Sequence, residues 1–248
     1  MIKTFVSLLL VAALAQDDPI AAAAIKGFRH PWSEFGEGCT VTYRETIKRP
    51  EIDDGGNLVL KDVVSEMIWT VESTDGAKAV LKIASEGREA EVPHHFALPN
   101  WAKGKGERKA DEEVVVGGVK VACRVTTIAV DADKDASQVT TIWQNPEMPG
   151  WAVRFLNETL VRGKRNTSEE ELLLSAREKV KVGEQEVVCY VVQATTEVEG
   201  GARVVRKEWR SGEVPGVLVR QDMRHYRAGR EIEAARSKKE VVSFRSRK

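Results

Sequence analysis

Residues able to do chemistry are few and scattered in this 248-residue chain. Its four histidines are His30, His94, His95 and His225, and its three cysteines are Cys39, Cys123 and Cys189. Zinc sites draw such ligands from closely spaced motifs, and neither CxxC nor HExxH occurs. His94 and His95 cannot share one ion from a strand, because adjacent strand residues point to opposite faces. Ser33, Ser137 and Ser211 lack a GxSxG context, and no cysteine sits in a protease signature. Asp53 and Asp54 open like a calcium loop before Gly55 and Gly56, but the spaced ligands and closing Glu are missing, so the stretch reads as a turn. Gly104 and Gly106 precede no Gly-Lys-Ser/Thr and form no P-loop. Asn157 and Asn166 head glycosylation sequons. The expectation is a protein with no catalytic site, no metal and no cofactor, hence not an enzyme.

The informative feature is a phrase written twice, 66 residues apart. "TIWQNPEMPGWAVRF" begins at Thr141, and "KEWRSGEVPGVLVRQ" begins at Lys207. Sliding the chain by 66 residues aligns 110–154 on 176–220 without a gap, with 16 of 45 positions identical. Chance would give roughly 3, so the segments read as a duplicated unit. The identities include Glu112/Glu178, Gly117/Gly183, Cys123/Cys189, Trp143/Trp209, Pro149/Pro215, Gly150/Gly216 and Arg154/Arg220.

Positioning these residues requires strands. "EVVVGGVKVACRV" is two Val-rich runs around Gly117-Gly118, the mark of a tight hairpin. Val119, Val121, Cys123 and Val125 share one face at period two, with Lys120 and Arg124 on the other. A polar loop and a third strand follow, the latter ending at Trp143 or Trp209. The Pro-Gly pair opens a fourth strand, because Pro lacks a ladder donor and Gly tolerates the left-handed region. Each tryptophan then caps the apolar face where the chain turns. The same indoles could instead stack on a ligand, so Trp143, Trp209, Pro149, Gly150, Pro215 and Gly216 are candidate ligand-face or structural residues. Cys123 and Cys189 sit among valines, where two small buried hydrophobes fit better than a disulfide.

The start of the chain, "MIKTFVSLLLVAALAQ", has the basic, apolar and small-residue order of a secretory signal peptide. Residues 1–15 are expected to be removed near Ala15, leaving an exported protein in the periplasm or outside the cell, with no lipid-anchoring cysteine at Gln16. No later stretch has transmembrane length without charges. Overall charge is near zero, which gives no general field for nucleic acid. The segment 220–248 nevertheless holds ten Lys/Arg against four Asp/Glu. It reads either as a solvated strand with a frayed basic tail or as a contact surface for an acidic partner.

Residues 16–35 read as a flexible N-terminal arm and 36–248 as a single β-rich domain. Within it, "CTVTYRE", "NLVLKDVVSEMIWTVES" and "AKAVLKIAS" are further strands that read as a diverged third unit, with Trp69 in the place of Trp143 and Trp209. "LPNWAKGKGERKADE" reads as a loop, and "REIEAARSKKEVVSF" as a short helix or a last hairpin. About ten strands in one domain predict an all-β fold with few short helices. The form expected is a curved antiparallel meander or partial barrel built from the internal repeat.

The signal, the β-rich body and the phrase "VKVGEQEVVCYVV…KEWRSGEVPGVLVR" resemble exported bacterial β-rich proteins of unknown function. Their sheet organisation is similar to the LolA/LppX-type lipoprotein carriers, in which a curved antiparallel sheet shelters acyl chains. The resemblance implies a non-enzymatic envelope protein with an apolar or lipid-like ligand on its concave face. The alternative is a structural or interaction module docking an acidic envelope component through its basic C-terminal region.

Overall fold

The computed structural model describes residues 18–26, 28, 30–75, 77–96, 100–131 and 135–246. The expected signal peptide lies outside these residues. The fold is all-β: among the described residues fifteen strands form one antiparallel sheet that curves without closing, accompanied by one short α-helix, α1 (Pro19–Ile25).

In chain order the strands are β1 (Thr40–Ile52), β2 (Leu58–Thr74), β3 (Lys78–Ser85), β4 (Arg88–His95), β5 (Lys105–Arg108), β6 (Glu112–Val116) and β7 (Val119–Asp131). They continue with β8 (Ala136–Gln144), β9 (Arg154–Val161), β10 (Lys164–Val182), β11 (Gln185–Val198), β12 (Ala202–Arg210), β13 (Leu218–Arg227), β14 (Arg230–Glu231) and β15 (Ser237–Arg245). Across the sheet the order is β4-β3-β2-β1-β15-β13-β12-β11-β10-β9-β8-β7-β5, with β14 on β13 and β6 on β7. Most neighbours are joined by hairpins. The exception in the middle is the pairing of β1 with β15, which zips the first strand to the last through Val41↔Phe244 and Tyr43↔Val241.

The segments 110–154 and 176–220 adopt matching registers. Glu112↔Cys123, Val125↔Trp143 and Trp143↔Arg154 in the first become Glu178↔Cys189, Val191↔Trp209 and Trp209↔Arg220 in the second. In both, the opening hairpin is a cover. Val114, Val116, Val121, Cys123 and Val125 are buried with Trp143, and Val182, Val187, Cys189 and Val191 with Trp209. Alternation places these residues on one face, and burying a Val-sized side chain is worth about 1.5–3 kcal/mol. The tip of each cover lands on a later strand: Gly117 N–H donates to Leu174 O at 2.9 Å, and Gly183 lies beside Val242 O.

The opposite face near β7–β9 is closed by α1. Asp18 caps that helix by accepting from Ile20 N–H and Ala21 N–H, Pro19 starts it, and Ala21, Ala24 and Ile25 pack with Ile128, Ile142 and Phe155.

Four expectations need correction. The arm 16–35 is not loose where it is described, since α1 is packed and Trp32 and Phe35 are core residues. The "GKGERK" stretch forms edge strand β5 rather than a loop, because Lys105–Arg108 find ladder partners in Thr126–Ala129. Strands number fifteen rather than about ten, since long polar-faced runs such as Lys164–Val182 remain extended. The basic C-terminal strand is not a solvated one at the margin: β15 is an interior strand held between β13 and β1.

Candidate functional site

The repeated residues assemble into two equivalent stations. In the first, Trp143 Nε1–H donates to Glu112 Oε2 at 2.7 Å, and the Arg154 guanidinium lies 4.5 Å from the ring. In the second, Trp209 Nε1–H donates to Glu178 Oε2 at 2.8 Å, with the Arg220 guanidinium 4.6 Å from the ring. The cover hairpin brings the carboxylate, the third strand the indole and the fourth strand the arginine. Each aromatic face meets a cation and each indole N–H an anion, so the polar tip of the tryptophan is satisfied inside an apolar layer. Trp143 is only 6% exposed and Trp209 only 8%. Their stacking surface is therefore used internally. The partners were visible in the sequence as identities between the two copies, although nothing there said that they meet.

The Pro-Gly turns share a backbone but not their neighbours. Gly150 and Gly216 have φ of +84° and +76°, in the region that favours glycine. Tyr190 lies over Gly150, whereas the Trp32 indole presses on Gly216 so closely that a methyl group there would fall 2.5 Å from Cζ2. The second turn also holds Val217 at φ +66°, a costly conformation for a β-branched residue.

All three cysteines are buried, and Cys123 and Cys189 are free thiols. Burial pushes the Cys189 thiol up to about 11, with Glu213 and Glu178 adding to it. Burial also raises Cys123, with Glu112 adding. Such thiols stay protonated near neutrality and are poor nucleophiles. Sequence reasoning assigned no role to individual carboxylates, yet several build a network on the face opposite Trp209. Arg210 donates to both oxygens of Glu171 at 2.8 and 3.1 Å and to Glu208 Oε2, while Gln221 donates to Glu208 Oε1 at 2.8 Å. Burial opposes the charge on Glu208, but Arg210, Gln221 and Arg206 hold its carboxyl below the usual range. Burial likewise opposes the charge on Arg210, which Glu171 and Glu208 more than restore. Desolvating charges in this way is tolerated only with such complete pairing.

Two clefts open on the sheet. One, of about 730 Å³, lies between the β10–β11 hairpin and strands β12, β13, β15 and β1. Its charged lining is Arg44, Lys179, Lys181 and Arg220 against Glu178 and Glu240, with Trp209 and Val241 beneath. Glu178 is engaged by the indole, and Arg220 donates to Asp222 at 3.0 Å while its buried Nε–H has no partner among the described residues. The other cleft, about 370 Å³, is lined by Arg165, Asn166, Glu197, Arg203 and Tyr226 among others. Among the described residues no three His, Cys, Asp or Glu side chains converge for a metal, and no helix is long and apolar enough to cross a membrane.

Comparison with protein families, with curated proteins and with solved structures finds no match to this chain.

Proposed function

We propose that the chain is an exported, non-enzymatic interaction module that docks an acidic envelope partner in the cleft under the β10–β11 hairpin. The observation that carries this is the set of four cations against two anions lining that cleft, of which Arg44 pairs with Glu66 and Lys179 with Glu186 beyond the lining, with Arg220 4.6 Å from the Trp209 ring and its Nε–H without a partner among the described residues. A guanidinium fixed on an aromatic ring has lost rotamer freedom before binding, which favours capture of a carboxylate. Of the basic C-terminal region only Arg220 brings a cation to the cleft, which β15 lines with Glu240, Val241 and Val242. Export rests on the leader 1–15, and the non-enzymatic reading on thiols kept protonated by burial. An apolar ligand, which the likeness to lipoprotein carriers implies, has less support: the cleft of about 730 Å³ is lined mostly by polar and charged groups, and Trp143 and Trp209 are buried.

Fluorescence anisotropy of a labelled hexaglutamate peptide with the mature chain tests this. Saturable binding at low salt should weaken about tenfold or more at high salt, since exposed charges are screened beyond the first few ångströms. Lys179→Gln/Lys181→Gln should weaken it at least several-fold. A flat titration at low salt would remove the proposal, and saturable uptake of a fluorescent fatty acid would put the apolar ligand in its place.

A further inference from the structure

Strand β2 carries a third tryptophan at the position of the other two. Trp69 pairs with Val41, as Trp143 pairs with Val125 and Trp209 with Val191. A cysteine precedes each of these valines by two residues: Cys39, Cys123 and Cys189. The third station is incomplete. Across from Trp69, where Arg154 and Arg220 stand, is Ile83. No carboxylate meets its indole, whose buried Nε1–H has no hydrogen-bond partner among the described residues.

A different set of groups surrounds it. Lys239 Nζ lies 5.4 Å from the Trp69 ring and 5.2 Å from the Tyr43 ring. Lys239 is half-buried and makes no ion pair among the described residues, even with Glu45 opposite it in the ladder. Trp32 stacks on Trp69 at 6.0 Å with an interplanar angle of 11°, Tyr43 meets it edge-on at 5.8 Å, and His94 lies 6.4 Å away. His30, from the arm, sits 5.8 Å from His94. An unused N–H donor and an unpaired ammonium thus occur together inside an aromatic enclosure, where two sister sites each hold a carboxylate.

We propose that the Trp69 station is a carboxylate-binding subsite. A ligand carboxylate takes the place that Glu112 and Glu178 fill in the other stations, accepting from Trp69 Nε1–H with the Lys239 ammonium as its counter-charge. Trp32 stacks on the indole from outside the sheet, so the entering ligand displaces it from its packed position. The carboxylate is either that of a small free acid or that of an acidic side chain on a partner. This subsite is separate from the cleft under the β10–β11 hairpin and does not depend on the reading of that cleft.

The indole N–H resonances of the ¹⁵N-labelled mature chain provide the test, with the Trp69 signal assigned by its loss in Trp69→Phe. Sodium acetate and a capped glutamate-containing peptide are the probes, and sodium chloride is the control. The Trp69 resonance should move saturably with a carboxylate and stay put with chloride. Lys239→Gln should weaken the effect at least about fivefold, whereas Lys179→Gln/Lys181→Gln should leave it unchanged. Movement with acetate identifies a free acid, and movement with the peptide alone identifies a partner's side chain. A Trp69 signal indifferent to both probes, one that follows chloride equally, or a Lys239→Gln protein with undiminished binding would overturn the assignment.

Discussion

The first and second modules use one register and one station yet differ in what surrounds them. In the second, β10 runs unbroken from Lys164 to Val182, absorbing irregularities between Leu173 and Glu178. In the first, the corresponding run is split into β5 and β6 by the segment 109–111, which the 66-residue offset places on 175–177. The same local misfit is thus solved by bulges in one copy and by a break in the other. Arg210, tied to Glu171 and Glu208, corresponds to Gln144, which donates to the backbone of Ala24 and Trp151. What the copies share fixes pairing, and what they do not share decides which neighbour is recruited. The first module gathers the helix, and the second gathers a charged network and the arm.

Mutations can break this comparison at several depths. Removing the indoles should hurt most: Trp143→Ala and Trp209→Ala should each cost about 3–5 kcal/mol in denaturant unfolding. The loss at Trp209, which sits in the larger cluster, should be at least as great. An inexpensive Trp143→Ala would show that only one station bears the sheet. Next, Arg210→Met should destabilise by about 3 kcal/mol, because Glu171 would lose its counter-ion and Glu208 would keep only the more distant Arg206. Gln144→Met, at the matching position, should cost about 1 kcal/mol for its lost backbone contacts. Equal losses would mean that the ionic network is no more than a packing feature. The turns separate by less. Gly150→Ala should cost about 1 kcal/mol for its left-handed backbone, whereas Gly216→Ala should cost about 2 kcal/mol, since the Trp32 indole must also move. Chemical denaturation of the two variants side by side measures the gap.

The smallest effect concerns acid. Burial lowers the pKa of His30, helped by His94, and burial lowers that of His94. A folded-state value below the unfolded one means that the unfolded chain takes up more protons. The stability tied to these groups is therefore complete above the free imidazole value near 6.5 and falls as the pH drops below it. The melting temperature should decline modestly from pH 7 to pH 5, before Glu208 begins to contribute. His30→Gln/His94→Gln should flatten that slope, and an unaltered slope would exclude the pair as its source.

Much of the scaffold could be read from the residues. Alternation named the buried face at Val121, Cys123 and Val125, although Val119 at the hairpin tip is exposed, Gly117-Gly118 named the hairpin, and the 66-residue offset the matching registers. These are local signals, carried by residues a few positions apart. What could not be read is long-range. Nothing in "SKKEVVSF" says that it pairs with "TVTYRETI" near the other end of the chain, so its place in the middle of the sheet was not legible. Nothing in the sequence joined Glu171 to Glu208 and Arg210, because they lie on different strands. The helix at Pro19–Ile25 was hidden in an alanine-rich stretch whose only start signals were Asp18 and Pro19. The stations stood in between: the identities marked Glu112, Trp143 and Arg154 as a set, but only folding brings them within 5 Å of one another.

The pairing of β1 with β15 has a consequence for how the molecule is made. Val41 and its partner Phe244 are about 200 residues apart, and chains grow at roughly 5–20 residues per second. The inner edge of the first hairpin therefore waits on the order of ten seconds or more before its mate exists, a ladder of bare donors and acceptors open to any passing strand. For a chain expected to be threaded across a membrane, that interval is when a holding chaperone would matter, and the last strand out is the one that ends it.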